Sequence, residues 1–214
     1  MTRTRWIWLL LIVLWVAFFS WYTSFGGPLT EAEIAHYISR AENREPPPSP
    51  ERVAMLRKFM EEDTGDDFVM VNFIDMYEAP LQVEGVEPGE ASDDVLGKYM
   101  AHMYPALFAR ACHPVLFGAA AAPAMDLMNA DGMEEWTTGA GMRYRSRRDM
   151  LEIATTPAFQ GAHEFKVAAM SKTIAFPLDP WIQLGDPRFV MALLFALIGC
   201  ALSWREAARR TADS

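Results

Sequence analysis

The chain of 214 residues carries a formal net charge of −9, and this charge is unevenly distributed. Residues 26–188 hold 26 acidic and 14 basic side chains, a net charge of −12, whereas the two ends together are positive. An acidic domain repels the phosphate backbone, which excludes nucleic acid as a partner. With only Cys112 and Cys200 present, a disulfide framework is also excluded.

The N-terminal apolar run, Trp6 to Phe25, contains 20 residues without a charge. A helix of about 20 residues crosses the roughly 30 Å of hydrocarbon in a bilayer, so residues 1–26 are predicted to be a transmembrane anchor. A cleaved signal peptide is the alternative, because Arg3 and Arg5 precede the run. We disfavour it because the run exceeds the usual ~7–15 apolar residues and no Ala-x-Ala-like site follows.

A second uncharged run, Phe189 to Trp204, has 16 residues and reaches only about 24 Å as a helix. Residues 187–205 are predicted to form a second transmembrane or membrane-associated helix; a buried terminal helix of the soluble domain is the alternative. Arginines flank the outer ends of both runs: Arg3, Arg5, Arg205, Arg209 and Arg210. The positive-inside rule then predicts a bacterial inner-membrane protein with both termini cytoplasmic and the central domain periplasmic.

Residues 27–65 are predicted to form a helical collar with a Pro-rich linker. The capping box Thr30-x-x-Glu33 predicts a helix from Glu31 to Ala41. Three prolines follow, and Ser49 then serves as the N-cap of a helix that runs to Glu61, with proline at its first position.

The first strand of the next segment is predicted from a run that begins at Phe68 and ends at Tyr77. The run is apolar on both alternating faces, so we expect it to be covered on both sides, with Asn72 as a buried polar group bonded to backbone or to a ligand. A helix from Asp93 to Arg110 follows. Two further strands are predicted at His113–Ala119 and Glu134–Tyr144.

The stretch from Met142 to Ala175 is predicted to be strand, helix, strand. Ser146 caps a helix that begins at Arg147, and Thr156-Pro157 breaks or restarts it. The last strand, beginning at Thr173, is expected to end at a proline. The resulting order, βαββαβ, predicts an α+β, ferredoxin-like fold: an antiparallel sheet with both helices on one face.

Residues 66–178 resemble the dimeric α/β-barrel superfamily, within its uncharacterised bacterial branch. The resemblance is carried by the run FVMVNFI from Phe68, the run YRSRR from Tyr144, and Leu151, Thr156-Pro157, Phe159 and His163 in the last helix. It implies a homodimer in which two sheets face each other and close a barrel. For an enzyme, it implies a monooxygenase-like or isomerase-like activity, with haem as a possible cofactor in related proteins.

His163 and Arg145 are the candidate catalytic residues. His163 lies seven residues before Met170, on the same helical stripe, and is expected to face the sheet as a haem ligand or a general base. The alternative is a histidine hydrogen-bonded within the core or at its edge. The candidate ligand-binding residues all lie on predicted strands: Asn72, Trp136, Tyr144 and His113.

Four arginines form the only basic cluster of the acidic domain: Arg143, Arg145, Arg147 and Arg148. They can bind an anion, or they can pair with acidic side chains on a solvated face, with Glu134, Glu135, Asp149 and Glu152 as the available partners. No metal site is predicted, because no Cys-x-x-Cys or His-Glu-x-x-His spacing occurs.

Together these features predict a membrane-anchored protein that holds a small apolar or aromatic ligand in an extracytoplasmic domain. The bilayer and a second copy of the chain are the expected partners. The alternative is a non-catalytic accessory or scaffold subunit of a membrane complex, with further protein partners.

Overall fold

The computed structural model describes residues 3–212, apart from the side chains of residues 157, 158 and 160. The chain divides into two compact units. One contains the two end segments, up to residue 23 and from residue 181, and the other is Ser24–Pro180.

The end segments form two helices, α1 (Arg3–Tyr22) and α7 (Pro187–Ala212). Both are long and apolar enough to cross a membrane by length and composition. They pair antiparallel: Trp8 Nε1 donates to Ser203 Oγ at 3.1 Å, and Trp15 Nε1 donates to the Arg188 carbonyl at 3.1 Å. The two outer helix ends therefore lie together.

Helix α7 is longer than the 16-residue run that predicts it, because it continues to Ala212 through charged residues. At 26 residues it reaches about 39 Å, of which the 16 residues 189–204 are uncharged. Gly199 is its only buried residue among those described, so α7 is not a buried core helix of this chain.

The second unit begins with helices α2 (Glu31–Glu42) and α3 (Pro50–Glu61), which together with the linker between them form the collar. The predicted capping box is present, because Thr30 accepts from Glu33 N and the Glu33 carboxylate accepts from Thr30 N. Ser49 caps α3 as predicted, with proline at the first position.

The rest of the unit contains β1 (Phe68–Met76), α4 (Ser92–Ala109), β2 (His113–Ala119), β3 (Thr138–Tyr144), α5 (Arg147–Ala154), α6 (Pro157–Ala169) and β4 (Met170–Leu178). The sheet order is β2-β3-β1-β4, and every pair is antiparallel. This is the predicted ferredoxin-like order, in which α4 follows the first strand and α5 with α6 follow the third.

Helices α4 and α6 pack on one face of the sheet, as predicted. Tyr99, Met103 and Leu107 of α4 form a core with Ala162 of α6 and with the half-buried Met142 of β3. A neighbouring cluster joins Val95 to Ala168 and Ala169. A third cluster joins the collar to α5; its buried members are Leu29, Ile34, Tyr37, Ile38, Met60 and Leu151.

Two predicted strand boundaries are wrong. Strand β3 begins at Thr138, so Glu134 to Thr137 lie in the irregular segment that precedes it. Strand β4 begins at Met170 and continues past Pro177 to Leu178. Proline is tolerated there because β4 is an edge strand, which leaves one side of its backbone without a ladder partner.

Candidate functional site

The face of the sheet opposite α4 and α6 carries a row of apolar side chains across all four strands. Register places Leu116, Gly141, Val71 and Phe176 in one row, with Phe73 and Leu178 in the rows on either side. Leu116 is 68% exposed, and Phe73, Phe176 and Leu178 are each at least 41% exposed. We call this surface, defined by Val71, Phe73, Leu116, Phe176 and Leu178, the open face.

Strand β1 was predicted to be covered on both sides, and within one chain this is wrong. Its side towards the helices holds the buried Phe68 and Ile74, whereas Phe73 on the open face remains exposed. The apolar character of both faces is real, but only one of them is covered by this chain's own helices.

Gly141 shapes the centre of the open face. A methyl group added there would lie 3.2 Å from Val69 Cγ1 and 3.3 Å from Val115 Cγ2, closer than ordinary van der Waals contact. Gly139 and Gly141 thus carry no side chain on this face, and Val69, Val115 and Leu116 fill the space beside Gly141. The pairing of β2 with β3 contains an irregularity between Pro114 and Leu116.

Trp136 lies at one end of the open face, outside the strand predicted to contain it. Its ring centroid is 6.0 Å from that of Phe73, and its Nε1 donates to the Met133 carbonyl at 2.8 Å. The Lys172 ammonium lies 4.8 Å from the centroid of the indole ring, within cation–π distance. An aromatic pair and a cation therefore meet at this end.

Asn72 and Tyr144 lie on the other side of the sheet, because successive residues of a strand point to opposite faces. Asn72 is half-buried rather than buried, and its amide donates to the Met70 carbonyl at 2.9 Å. Tyr144 stacks on Phe68 with ring centroids 5.4 Å apart, and burial raises the pKa of its hydroxyl above the ordinary value. Neither residue shares a surface with Trp136.

His113 begins β2, and its Nδ1 lies 3.0 Å from the Pro114 carbonyl oxygen. The neighbouring Cys112 is fully buried, and this burial raises the pKa of its thiol to about 11. A thiol with such a pKa is almost entirely protonated at neutral pH, so Cys112 is not an activated nucleophile. The adjacent histidine and cysteine form no catalytic pair.

The predicted catalytic Arg145 is committed to a bidentate ion pair. Its Nε lies 2.8 Å from Asp149 Oδ2, and its Nη2 lies 2.8 Å from Asp149 Oδ1. The other members of the cluster are paired as well: Arg143 with Asp67, Arg147 with Asp63, and Arg148 with Glu33. Asp149 was among the predicted partners, whereas Glu134 and Glu135 pair with none of the four in the described part of the chain.

The predicted orientation of His163 is wrong. Met170 is already the first residue of β4, so helical spacing does not relate it to His163. The core-facing residues of α6 are Ala162, Ala168 and Ala169, whereas His163 is exposed. His163 instead lines a groove with the proline linker and α3, and burial of its inner part lowers the pKa of the imidazole.

Haem does not fit this arrangement. A haem on the sheet side of α6 would occupy the space that the buried Ala162 and Ala168 fill against α4 and the sheet. Within residues 3–212, no three His, Cys, Asp or Glu side chains converge in a group that could hold a metal ion. His163 is therefore not placed to ligate the iron of a haem on the sheet side of α6.

Comparison with known proteins gives a fold and no activity. No family model matches the chain, and no curated protein matches it. The crystal structure of methylated RPA0582, a protein of unknown function from Rhodopseudomonas palustris, aligns with 65% of this chain and 96% of its own, at 19% identity and a TM-score of 0.51. With the sheet order β2-β3-β1-β4, the fold of this chain is ferredoxin-like.

Two further solved structures align with just over half of this chain. A dimeric ferredoxin-like protein of unknown function from Jannaschia sp. covers 53% of this chain and 99% of its own, at 13% identity and a TM-score of 0.33. SnoaB, described as a cofactor-independent oxygenase from Streptomyces nogalater, covers 56% and 99%, at 12% identity and a TM-score of 0.34. Three of the matching solved structures are described as dimeric.

The ferredoxin-like domain contains two features that were missed in the sequence. Lys166 of α6 lies 5.9 Å from the ring centroid of Tyr99, and burial lowers the pKa of its ammonium. The groove beside His163 is the second feature. A signal for it exists in the sequence, since Arg44 and Arg52 flank the three prolines on either side.

Proposed function

We propose that the chain is a membrane-anchored protein whose ferredoxin-like domain pairs with a second copy through the open face. The observation that carries this proposal is the row of exposed apolar side chains at Leu116, Phe176 and Leu178 on a face that the chain's own helices leave uncovered. Exposed apolar patches of this kind mark interaction surfaces. A second sheet laid on the first would remove them from water.

Such a pair encloses a small apolar or aromatic ligand between its sheets. Phe73 and Trp136, whose ring centroids lie 6.0 Å apart, supply an aromatic wall at one end of the enclosed space. Binding rather than a named reaction is proposed, because the candidate catalytic residues Arg145 and His163 do not meet. An activity of the oxygenase or isomerase kind would have to use other groups.

The dimer is tested by native mass measurement of the full chain in detergent. Phe176→Glu places a charge at the centre of the proposed interface and is expected to give the monomer mass, because an unpaired buried charge opposes association. Phe108→Glu is the matched control: Phe108 is 51% exposed, against 41% for Phe176, but belongs to α4, outside the open face. A wild-type monomer, or a Phe176→Glu dimer, would contradict the proposal.

A bound ligand is expected to appear in the same native mass spectra, as a dimer mass greater than that of two chains. Trp136→Ala is expected to remove that excess while leaving the dimer intact. An excess retained by Trp136→Ala would place the molecule elsewhere.

The membrane topology is proposed from charge and from the antiparallel pairing of α1 and α7. Thr4 Oγ1 donates to Glu206 Oε2 at 2.6 Å, so Arg3, Arg5, Arg205, Arg209 and Arg210 all belong to the same end of the helix pair. Basic residues favour the cytoplasmic side, which leaves the ferredoxin-like domain periplasmic in the inner membrane. A periplasm-specific reporter fused after Asp186 is expected to be active, and one fused after Ser214 inactive.

A scaffold role in a membrane complex is the second candidate, and the segment between β2 and β3 favours it. Met125 is 97% exposed and Met128 is 80% exposed on this irregular segment. Methionines at a surface adapt to a protein partner. Replacing both by serine is expected to leave the dimer mass unchanged and to remove any larger assembly seen after gentle extraction; an unchanged assembly would exclude this segment as its contact.

A further inference from the structure

A groove of about 560 Å³ lies in the Ser24–Pro180 unit, on the side of α6 away from the core. It is formed where the end of α2, the proline linker and α3 meet α6. Its volume lies within the roughly 300–1,000 Å³ that is usual for small-molecule sites. The lining residues are Ala41, Arg44, Glu45, Pro46, Pro47, Pro48, Ser49, Arg52, Val53, Leu56, Phe159 and His163.

The groove is basic within an acidic domain. Arg44 and Arg52 both line it, and neither forms an ion pair within the described part of the chain. Glu45 is the only acidic residue of the lining. This differs from residues 26–188 as a whole, where acidic side chains outnumber basic ones by 26 to 14.

Arg44 is held in place but incompletely hydrogen-bonded. Its Nη2 donates to the Ala154 carbonyl at 2.7 Å, while its Nε is buried without a hydrogen-bond partner and its Nη1 has none among the described residues. Burial and the neighbouring Arg40 lower the pKa of this guanidinium, which still leaves it charged. A half-buried guanidinium with unused donors is stabilised when an anion binds beside it.

The remaining walls are apolar. Val53 and Leu56 of α3 face the groove together with the linker prolines, and Phe159 and His163 lie with ring centroids 5.7 Å apart. Because burial lowers the pKa of His163, its imidazole is neutral at pH 7 and adds no charge. The groove therefore offers one fixed guanidinium beside an apolar wall.

We propose that this groove is a binding site for a small carboxylate with an apolar body, separate from the open face. Arg44 receives the carboxylate through Nη1, which its bond to Ala154 leaves unused, and Arg52 adds attraction from the rim. A planar guanidinium suits a carboxylate because parallel N–H bonds can reach both oxygens. The prolines and Phe159 cover the apolar body of the ligand.

The test uses the full chain in lipid nanodiscs and ligand-observed ¹⁹F NMR. The two probes are 4-fluorobenzoate and 4-fluorobenzamide, which share shape and fluorine but differ in charge. We expect line broadening of the benzoate beyond that in empty nanodiscs, and at least about tenfold weaker binding of the amide, because it lacks the charge-assisted hydrogen bonds. Equal binding of the two probes, or no binding of the benzoate, would overturn the proposal.

Four variants locate the site. Arg44→Gln is expected to weaken benzoate binding about tenfold and Arg52→Gln about threefold, because Arg44 is half-buried and Arg52 is exposed. Arg57→Gln removes the same charge from α3 outside the groove and is expected to change nothing. Glu45→Gln is expected to tighten binding, because it removes the only acid of the lining.

If Arg44→Gln does not fold, Arg52→Gln and Glu45→Gln still test the proposal. The side chains of Arg52 and Glu45 make no hydrogen bond or ion pair in the described residues, so their variants are expected to fold. An equal loss for Arg52→Gln and Arg57→Gln would show unspecific attraction and overturn the proposal. Phe176→Glu, which targets the open face, is expected to leave benzoate binding unchanged, so the two sites are tested separately.

Discussion

Two sets of arginines in the same unit differ in how their charge is balanced. Arg143, Arg145, Arg147 and Arg148 follow one another in sequence, and each pairs with a carboxylate. Arg44 and Arg52 are separated by the proline linker and pair with none within the described residues. The conspicuous cluster is structural, and the inconspicuous pair is the candidate binding site. The two roles are distinguished by whether an arginine has a carboxylate partner in the fold. How closely the arginines follow one another in the sequence does not distinguish them.

The largest loss of stability is expected where a paired arginine loses its carboxylate partner. Arg143 is 1% exposed, its Nε lies 2.7 Å from Asp67 Oδ2, and its Nη1 donates to the Ala111 carbonyl. Asp67→Asn leaves this buried charge without its counter-ion and is expected to lower the free energy of unfolding by about 3 kcal/mol. Urea titration of the full chain in detergent measures this change.

Asp66→Asn is the matched control for this prediction, because Asp66 is the exposed neighbour and its carboxylate forms no ion pair in the described residues. Its effect is expected to stay within about 0.5 kcal/mol. Equal effects of the two variants would mean that the Arg143 pair does not stabilise the fold.

A smaller, pH-dependent effect is expected at Arg148, which joins α5 to the collar. Its bond to Glu33 lowers the pKa of that carboxyl to about 2. A depressed pKa contributes stability that is complete above the unfolded value, near 4.5, and that is lost as the pH falls towards 2. Glu33→Gln is therefore expected to cost about 1 kcal/mol at pH 7 and almost nothing near pH 2.

Glu31→Gln is the control for that pH profile, since Glu31 lies in the same first turn of α2 but is exposed and forms no ion pair with Arg148. Unfolding titrations at pH 7, 4 and 2.5 compare the two variants. A Glu33→Gln effect that does not shrink with falling pH would contradict the assigned cause.

The smallest change in stability is expected at Arg52, one of the two arginines that form no ion pair in the described residues. Arg52 is exposed and its side chain makes no polar contact in the described residues, so Arg52→Met is expected to change the free energy of unfolding by less than about 0.5 kcal/mol. Arg57→Met on the same helix provides the comparison. A loss above 2 kcal/mol for Arg52→Met alone would show that Arg52 is structural, like the paired cluster.

Local rules predict much of this fold and little of the site. The capping box at Thr30, the caps at Ser49 and Ser146, and the order of strands and helices follow from short sequence patterns. The ion pair of Arg145 with Asp149 is also local, four residues apart. These features need no knowledge of the tertiary structure.

The partners of the other arginines could not be predicted in the same way. Asp67 and Arg143 are 76 residues apart, and Glu33 and Arg148 are 115 apart, so only the packing of the collar on α5 brings the second pair together. His163 was misplaced because the helical spacing was extended past the true end of α6 at Ala169. A helix boundary error of one residue thus reversed the inferred direction of a side chain.

The order of elements along the chain has a mechanical consequence, since the ferredoxin-like domain is joined to a helix at each of its ends. With α1 and α7 in a bilayer, a single proteolytic cut in an exposed loop such as residues 120–137 would leave both fragments attached to the membrane. Two such domains would also meet by diffusion in a plane, which raises their effective concentration. An interface over the open face could then be weaker than that of a freely diffusing dimer and still be occupied.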